Sequence, residues 1–385
     1  MGRQVLRRQA AEERLIEGLE PPRAPRKGRG PTGAGARRGR GALANPPARF
    51  EPVQRVEFDD GWERAADDVS LRTDVQVERP RKIITRNDSP DISFDRTINP
   101  YRGCEHGCIY CFARPTHAHM GLSPGLDFES KLFVKEGAAE LLERELAAPG
   151  YEPRTIALGA NTDPYQPIER RYRVTRSLLD VLSRANHPVG IVTKSSLILR
   201  DLDILAPMAA RGLVKVAMSI TTLDPALARK MEPRATTPER RLETVEALSK
   251  AGVPTSVMVA PIIPAINDGE IEAILARAHA AGAREAGYVM LRLPLELRDL
   301  FSQWLSEHFP DKARRVLSTI REMRDGKLND ATFGRRMTAS GPYAWMIGRR
   351  FELACDKLGY RKSRVQLRAD LFRSPRQGAE QLSLF

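Results

Sequence analysis

Three cysteines near residue 100 are the residues whose type and spacing most directly predict chemistry. Cys104, Cys108 and Cys111 are separated by three and then two residues, so a tight loop brings their thiols together. Gly103 and Gly107 precede the first two cysteines and allow this loop to fold around a compact object. Clustered thiolates bind iron–sulfur clusters or zinc, and the sequence therefore predicts a metal centre here.

The identity of the metal depends on whether a fourth ligand is needed. Structural zinc sites are normally closed by four side chains, and His106, His117 or His119 could supply the fourth. The remaining cysteine, Cys355, lies far along the chain inside a predicted helix, where we expect a buried apolar residue. The spacing by itself leaves both an iron–sulfur cluster and zinc open.

The elements that must position these cysteines form an alternating pattern between residues 94 and 294. The predicted strands span 94–98, 154–158, 189–193, 214–220, 254–260 and 285–292, and the predicted helices between them span 135–147, 175–185, 200–211, 237–251 and 269–281. Such alternation is typical of a parallel sheet covered by helices. Six units are too few for a closed eight-stranded barrel, so we predict an α/β fold, a partial (β/α)6 barrel with its chemistry at the carboxyl ends of the strands.

Four further segments surround this predicted barrel of residues 94–294. They are a disordered basic tail at 1–50, a lead-in at 51–93, a helical C-terminal extension at 295–372 with helices at 295–308, 311–325 and 341–358, and a flexible tail at 373–385. The basic tail is rich in Pro, Gly and Ala and cannot bury enough apolar surface to fold.

Polar side chains concentrate where the predicted strands end. The segment Gly159–Glu169, which contains Asn161 and Asp163, follows the second strand. Lys194 follows the third strand and Ser219 lies at the end of the fourth. Because the carboxyl ends of parallel strands share one edge, these residues form either a binding site or ordinary polar turns.

The Cys104–Cys111 motif, placed directly after the first strand of a βα array, resembles the radical S-adenosylmethionine (radical SAM) superfamily. The nearest branch is the spore photoproduct lyase-like group of predicted DNA-repair enzymes, and the resemblance covers residues 90–295. It implies a [4Fe–4S] cluster on the three cysteines, with SAM on the fourth iron. It also implies a one-electron reductant such as flavodoxin or ferredoxin, and cleavage of SAM to a 5′-deoxyadenosyl radical that abstracts hydrogen from the substrate.

The same resemblance implies which residues bind SAM. In this family the loop after the second strand contacts the SAM amino group, and Asn161 and Asp163 occupy that position, although the usual Gly-Gly-Glu is absent. Lys194 and Ser219 match a Lys and a Ser that contact SAM in spore photoproduct lyase-like enzymes. Arg240 could hold the SAM carboxylate bidentately, although it and the arginine after it could also form a solvated helix face.

The hydrogen donor is where this chain departs from spore photoproduct lyase. That enzyme uses a further cysteine downstream of the cluster, whereas no cysteine occurs here between Phe112 and Ala354. The lyase reaction itself is therefore in doubt, and Tyr165 is the candidate redox-active catalytic residue.

The two ends of the chain suggest macromolecular partners. Residues 1–50 contain 12 Arg or Lys and 4 Glu, so this tail is either an electrostatic arm for nucleic-acid phosphates or a passive extension. The last five residues, Gln381–Phe385, read Gln-Leu-Ser-Leu-Phe and resemble the motif that docks bacterial repair proteins on the DNA polymerase sliding clamp. A tail folded back on its own domain is the alternative.

Three classes of function follow from these features. The first is a radical SAM enzyme acting on DNA, the second is a radical SAM enzyme that modifies RNA, a protein or a small molecule, and the third is a zinc-dependent nucleic-acid-binding protein without catalysis. No apolar stretch of 18 or more residues is present, so we expect no membrane span. Without an export signal, the expected compartment is the cytoplasm.

Overall fold

The computed structural model describes residues 39–51, 71–334, 336–337 and 339–375 of the chain. Its strands are β1 Asp74–Glu78, β2 Ile84–Arg86, β3 Arg96–Ile98, β4 Tyr101–Arg102, β5 Lys131–Lys135, β6 Ile156–Leu158, β7 Val189–Thr193, β8 Val214–Ser219, β9 Thr255–Ile262 and β10 Glu285–Met290. The α-helices are α1 Leu126–Ser130, α2 Ala138–Leu146, α3 Glu169–Tyr172, α4 Val174–Arg184, α5 Leu202–Ala210, α6 Pro225–Met231, α7 Pro238–Lys250, α8 Ile271–Ala280, α9 Leu297–His308, α10 Pro310–Glu322 and α11 Gly341–Leu358.

Seven strands form the main sheet, in the order β10-β9-β8-β7-β6-β3-β2. From β3 to β10 all neighbours are parallel, and β2 extends the edge antiparallel to β3. The six predicted strands are therefore confirmed in sequence order, as a partial barrel of six βα units.

Apolar burial on both sides of the sheet explains why these segments form strands. All three residues of β6 are buried, and β8 buries alternate residues along its length. Helix α4 covers the sheet with one face, which includes Leu178, Val181 and Leu182. Because the strands are parallel, the loops that leave their carboxyl ends lie along one edge, where the candidate site is found.

A second, smaller sheet has the order β1-β5-β4 and was not predicted. Strand β5 pairs in parallel with β1 and antiparallel with β4, which leads directly into Cys104. Local sequence patterns give little indication of this sheet, because β1 is largely exposed and its partner β5 lies more than fifty residues away. The small sheet is therefore joined to the cysteine loop through β4.

Residues 39–51 depart from the predicted disordered tail. Ala42 is fully buried, and the backbone N–H groups of Gly41 and Ala42 donate to the two carboxylate oxygens of Glu129 at 2.9 and 2.8 Å. The side chain of Arg40 is buried and donates to the Glu129 carbonyl at 2.6 Å. The tail boundary at residue 50 is therefore wrong for this segment, because tertiary hydrogen bonds compensate for its weak apolar content.

The C-terminal extension consists of helices, as predicted. Trp304 of α9 is fully buried, and its indole Nε1 donates to the Lys230 carbonyl in α6 at 3.1 Å. Helix α11 packs against α8. Among the described residues, no helix is long and apolar enough to cross a membrane. Residues 1–38 and the clamp-like segment Gln381–Phe385 lie outside the described residues.

Candidate active site

The three cysteines lie on the loop after β3, at the carboxyl edge of the sheet. Cys104 and Cys108 are buried, and Cys111 is half-buried. Gly107 has a positive φ of 67°, and a Cβ added there would lie 2.8 Å from a Glu129 carboxylate oxygen. Glycine is required at this turn both by its backbone conformation and by this close approach.

The cysteine thiols are close enough for their charges to act on one another. Burial raises the pKa of the Cys104 thiol well above its usual value, and the charges of Asp163, Cys108 and Cys111 raise it further. Burial raises the pKa of Cys108 to about 12, while the Lys194 charge acts in the opposite direction. Among the described residues, no three His, Cys, Asp or Glu side chains are grouped to hold a single metal ion, whereas an iron–sulfur cluster would bind each thiolate through a separate iron atom.

A buried ion pair between Arg114 and Glu129 contacts the backbone of the cysteine loop. The two side chains are fully buried, with Nη2 of Arg114 2.5 Å from Oε1 of Glu129. The same guanidinium donates to the backbone carbonyls of Cys108 at 2.9 Å and Gly107 at 3.1 Å. Removal of either partner would leave a buried charge unpaired. Neither residue was predicted, since nothing in the sequence distinguishes Arg114 from any other arginine after the motif.

The three histidines proposed as zinc ligands make other contacts. Nδ1 of His106 lies 3.3 Å from a carboxylate oxygen of Asp163, and Nε2 of His117 lies 2.9 Å from the Lys131 carbonyl. His119 packs against Phe50 with ring centroids 5.2 Å apart. Each histidine thus makes a contact within the protein, while Nδ1 of His117 is buried with no hydrogen-bond partner among the described residues.

The loop after β6 is attached to the cysteine loop by Gln166. Its side-chain amide donates to the Gly103 carbonyl at 3.1 Å and accepts from the Glu105 backbone N–H at 2.9 Å. Gln166 is fully buried. A glutamine in a polar loop carries no distinctive sequence signal, so this contact was not predicted.

Asp163 joins the ends of β6 and β7. Its carboxylate accepts hydrogen bonds from Thr193 Oγ1 at 2.7 Å and from the Lys194 backbone N–H at 2.8 Å. Burial raises its pKa, but the charge of His106 and these hydrogen bonds outweigh burial and lower the pKa to about 2. Both oxygens are occupied by protein donors, which favours a positioning role over the predicted SAM contact. Asn161 is half-exposed on the same loop.

Lys194 faces the cysteine loop from the end of β7. Its ammonium lies 5.7 Å from the centroid of the Tyr110 ring. Among the described residues it forms no ion pair, so its charge is available to an anionic ligand. The hydroxyl of Tyr110 donates to the Glu232 carboxylate and lies 3.2 Å from Thr221 Oγ1. Tyr110 was not predicted, although its position directly before the third cysteine could have marked it as a candidate site residue.

The arginines of α7 require a correction to the predicted site. Arg240 points outward with a side chain 58% exposed, and it pairs with Glu243 at 2.6 Å. Arg241 is buried instead, where it donates to the Ser219 carbonyl at 3.0 Å and pairs with Glu232 at 2.5 Å. The predicted cofactor contact of Arg240 is therefore wrong, because its side chain is on the solvent face of the helix.

Ser219 and Tyr165 occupy different environments. Ser219 is buried at the end of β8, with its hydroxyl 3.3 Å from the Ala260 carbonyl. Tyr165 is fully buried among core residues, and burial together with the charges of Asp201 and Glu169 raises its pKa well above its usual value. Because the side chain is fully buried, its hydroxyl is not accessible to a substrate, and the predicted catalytic role of Tyr165 needs correction for that reason. Cys355 lies in α11, half-buried.

Comparison with known proteins identifies a family and several relatives. The family model of the radical SAM superfamily matches residues 98–278. An uncharacterized protein of Mycobacterium tuberculosis is 40% identical over 234 residues, which cover 60% of this chain and 68% of that protein. An uncharacterized protein of Methanocaldococcus jannaschii is 28% identical over 173 residues, 45% of this chain and 62% of that protein.

Solved structures of spore photoproduct lyase share the fold. A mutant of that enzyme aligns with a TM-score of 0.52 at 16% identity, over 74% of this chain and 80% of the other. Spore photoproduct lyase complexed with dinucleoside spore photoproduct aligns with a TM-score of 0.52 at 15% identity, over the same shares. At this identity the similarity establishes the architecture.

The matched family region begins at the end of β3, contains all three cysteines and ends in α8. Members of the superfamily use a [4Fe–4S] cluster and SAM as cofactors, and a spore photoproduct lyase structure contains bound SAM. This chain belongs to the radical SAM superfamily and is an enzyme with those cofactors.

Proposed function

We propose that this radical SAM enzyme acts on nucleic acid and repairs a lesion in DNA. The observation that carries the proposal is the cysteine loop at the carboxyl end of β3, in a fold that aligns over 74% of the chain with spore photoproduct lyase complexed with dinucleoside spore photoproduct. The net charge of +13 supports a polyanionic substrate.

In this proposal Cys104, Cys108 and Cys111 hold the [4Fe–4S] cluster. Their donor set fits it, because thiolates are the usual ligands of such clusters, two of these thiols are buried and their charges act on one another. Zinc is disfavoured because the described residues contain no group of three His, Cys, Asp or Glu side chains that could hold a single metal ion.

Lys194 is proposed to bind the SAM carboxylate. Its ammonium faces the cysteine loop and lies near Cys108, whose pKa its charge lowers. Asn161 and Ser219 are the further candidates for polar contacts to SAM, at the ends of β6 and β8. When bound, the reduced cluster supplies the electron that cleaves SAM, and these three side chains bind and orient that substrate.

Two further partners belong to the same proposal. The basic residues before residue 39 would add sequence-independent attraction to phosphates, and Gln381–Phe385 would dock on the bacterial sliding clamp. A one-electron reductant such as flavodoxin or ferredoxin would reduce the cluster. Modification of RNA, a protein or a small molecule is the second candidate, because a basic protein would attract RNA equally well.

The test uses full-length protein with its cluster reconstituted anaerobically. Formation of 5′-deoxyadenosine is measured with ultraviolet-irradiated DNA, with the same DNA before irradiation, and with RNA of the same sequence. We expect stimulation by irradiated DNA alone, loss of the lesion, and transfer of deuterium from labelled DNA into 5′-deoxyadenosine. Stimulation by RNA would favour the second candidate, and a colourless zinc-containing protein would contradict the proposal.

A further inference from the structure

Arg292 is a half-buried cation at the open side of the barrel. It follows β10, the last strand, and its guanidinium carbon lies 4.6 Å from the centroid of the Phe112 ring. Phe112 comes directly after Cys111, on the loop of the first parallel strand. The pair therefore connects the first and last units of the partial barrel, next to the cysteine loop.

The guanidinium of Arg292 makes no hydrogen bond or ion pair with any residue that the structure describes. Burial lowers its pKa, and the neighbouring charges of Arg336 and Arg324 lower it further, while the charges of Asp91 and Cys111 raise it. The Asp91 carboxylate is paired with Arg336 at 2.6 Å and forms no ion pair with Arg292. A cation that is partly removed from water, beside two others, is stabilised by an anion placed between them. An anionic ligand would thus complete this part of the site.

Phe112 offers an aromatic surface beside this cation. One face is covered by Arg292, yet the residue is still 45% exposed, which is unusual for a large apolar side chain next to a buried loop. A second pair repeats the arrangement nearby: Phe333 is 61% exposed, with Arg336 4.7 Å from its ring centroid. Exposed aromatic rings alternating with arginines are the surface on which unpaired bases stack while phosphates are neutralised.

Further positively charged side chains line a cavity close to Arg292. A cavity of about 460 Å³ opens beside Leu293 and Leu295, close to Arg292 in sequence, and it is lined by Arg298, Arg321 and Lys327. None of the described residues that line it is acidic. A strand of nucleic acid that reaches Arg292 would meet these cations at its next phosphates.

We propose that Phe112 and Arg292 bind an unpaired nucleotide of the substrate strand, with the base against the exposed part of the Phe112 ring and a backbone phosphate on Arg292. The Arg298–Arg321–Lys327 cavity takes neighbouring phosphates. The inference rests on the proposed nucleic-acid substrate and specifies where that strand enters. It places the nucleotide beside Cys111, where the barrel is open.

The experiment measures binding of a short fluorescein-labelled oligothymidylate to the cluster-containing protein by anisotropy. Arg292→Gln should weaken binding about tenfold or more, because it removes a charge-assisted hydrogen bond to phosphate. Phe112→Ala should weaken it roughly five- to a hundredfold, because the base can no longer stack on the ring. Arg292→Lys should retain part of the affinity, since it keeps the charge without the planar group. Iron content checks that each variant is folded.

Arg184→Gln is the matched control, because Arg184 is exposed at the end of α4, on the opposite edge of the sheet. It should bind like wild type. The double variant Arg321→Gln/Lys327→Gln should reduce the salt dependence of binding. The slope of the logarithm of the binding constant against the logarithm of the salt concentration should become shallower by roughly 0.7 for each phosphate that is no longer neutralised.

The outcomes separate this inference from the proposed function. If wild type binds the strand and the Arg292 and Phe112 variants bind equally well, the nucleotide site is wrong while the substrate class stands. If wild type does not bind nucleic acid, both fail. If Arg184→Gln weakens oligothymidylate binding as much as Arg292→Gln does, the effect is general charge attraction and the site is overturned. The same conclusion follows if Phe112→Ala weakens binding of inorganic polyphosphate as much as it weakens binding of the oligonucleotide.

Discussion

Lys194 is the charged side chain on which the proposed SAM site depends. It combines a position at the end of β7 with an ammonium that lies 5.7 Å from the Tyr110 ring and has no ion-pair partner in the described part of the chain. Asp163, by contrast, uses both carboxylate oxygens to accept hydrogen bonds from the protein. The difference shows that a polar residue at a strand end either binds a ligand or fixes the loops that bind it.

Lys194→Gln should therefore weaken SAM binding without loss of iron. Removal of a charge-assisted hydrogen bond costs about 1.5–3 kcal/mol, which is roughly ten- to a hundredfold in affinity. Isothermal titration of SAM into the cluster-containing protein measures it. Arg240→Gln is the control, since Arg240 is on the solvent face of α7 and should leave SAM affinity unchanged. Equal SAM affinity in wild type and Lys194→Gln would remove Lys194 from the site.

Replacement of Cys104, Cys108 or Cys111 with Ala should abolish cluster assembly. Each replacement removes one thiolate ligand from a site that supplies three, whereas Cys355→Ala changes a half-buried thiol of α11 and should retain full iron. Iron and sulfide analysis after anaerobic reconstitution checks this. Full iron content in Cys108→Ala would refute the assignment of these cysteines as ligands.

The arginines of α7 show what the sequence could and could not reveal about single residues. Arg241 lies on the same helical face as Val245 and Leu248, four and seven positions later, and all three are buried. That periodicity is readable in the sequence and selects Arg241 over Arg240. The contacts of Gln166, however, join segments 61 and 63 residues apart, and no local pattern encodes them. The contacts of Arg114 lie within one irregular stretch of chain that has no periodicity to reveal them.

At the scale of elements, the six parallel strands were predictable because each is a nearly continuous apolar run with a helix after it. The small sheet was not, since β1 and β5 acquire their pairing only in the folded chain. The position of residues 39–48 was not predictable either. This segment crosses the cysteine loop, and we call it the N-terminal strap. A Cβ on Gly41 would lie 1.9 Å from the Gly107 carbonyl oxygen, so strap and loop are in direct backbone contact.

Gly41→Ala should therefore displace the strap and destabilise the cluster. The displaced strap would no longer donate two N–H groups to Glu129, at a cost of about 1.5–3 kcal/mol for a bond to a charged group. The measurement is the rate at which the cluster is lost to air or to a chelator, followed by absorbance. Gly269→Ala is the matched control, because an added Cβ there meets no atom within 4 Å.

Truncation separates the strap from the basic residues before it. A chain lacking residues 1–38 should retain wild-type iron content, whereas a chain lacking residues 1–48 should lose iron more rapidly because Glu129 loses its strap donors. Equal cluster lifetimes in the two truncated proteins would show that the strap has no role at the site.

At the scale of the whole molecule, the distribution of charge bears on the proposed polyanionic substrate. The net charge is +13, of which residues 1–50 carry +8. Part of that charge, Arg40, is buried in the strap, so the electrostatic arm is shorter than the composition of the first fifty residues implies. In the proposed function, the cations near Arg292 and those before the strap would then attract the same polyanion.

The C-terminal pentapeptide distinguishes DNA from the other substrates. If Gln381–Phe385 docks on the sliding clamp, a peptide of these residues should bind purified clamp with micromolar affinity, about −8 kcal/mol, as is ordinary for a short segment that is ordered on binding. Leu384→Ala with Phe385→Ala should remove most of this affinity, because buried apolar anchors carry such interfaces. Surface plasmon resonance with full-length protein measures it, and iron content checks that the double variant is intact. Equal binding of wild type and the double variant would remove recruitment through the clamp as a reason to prefer DNA, and the proposal of DNA would then rest on the family resemblance alone.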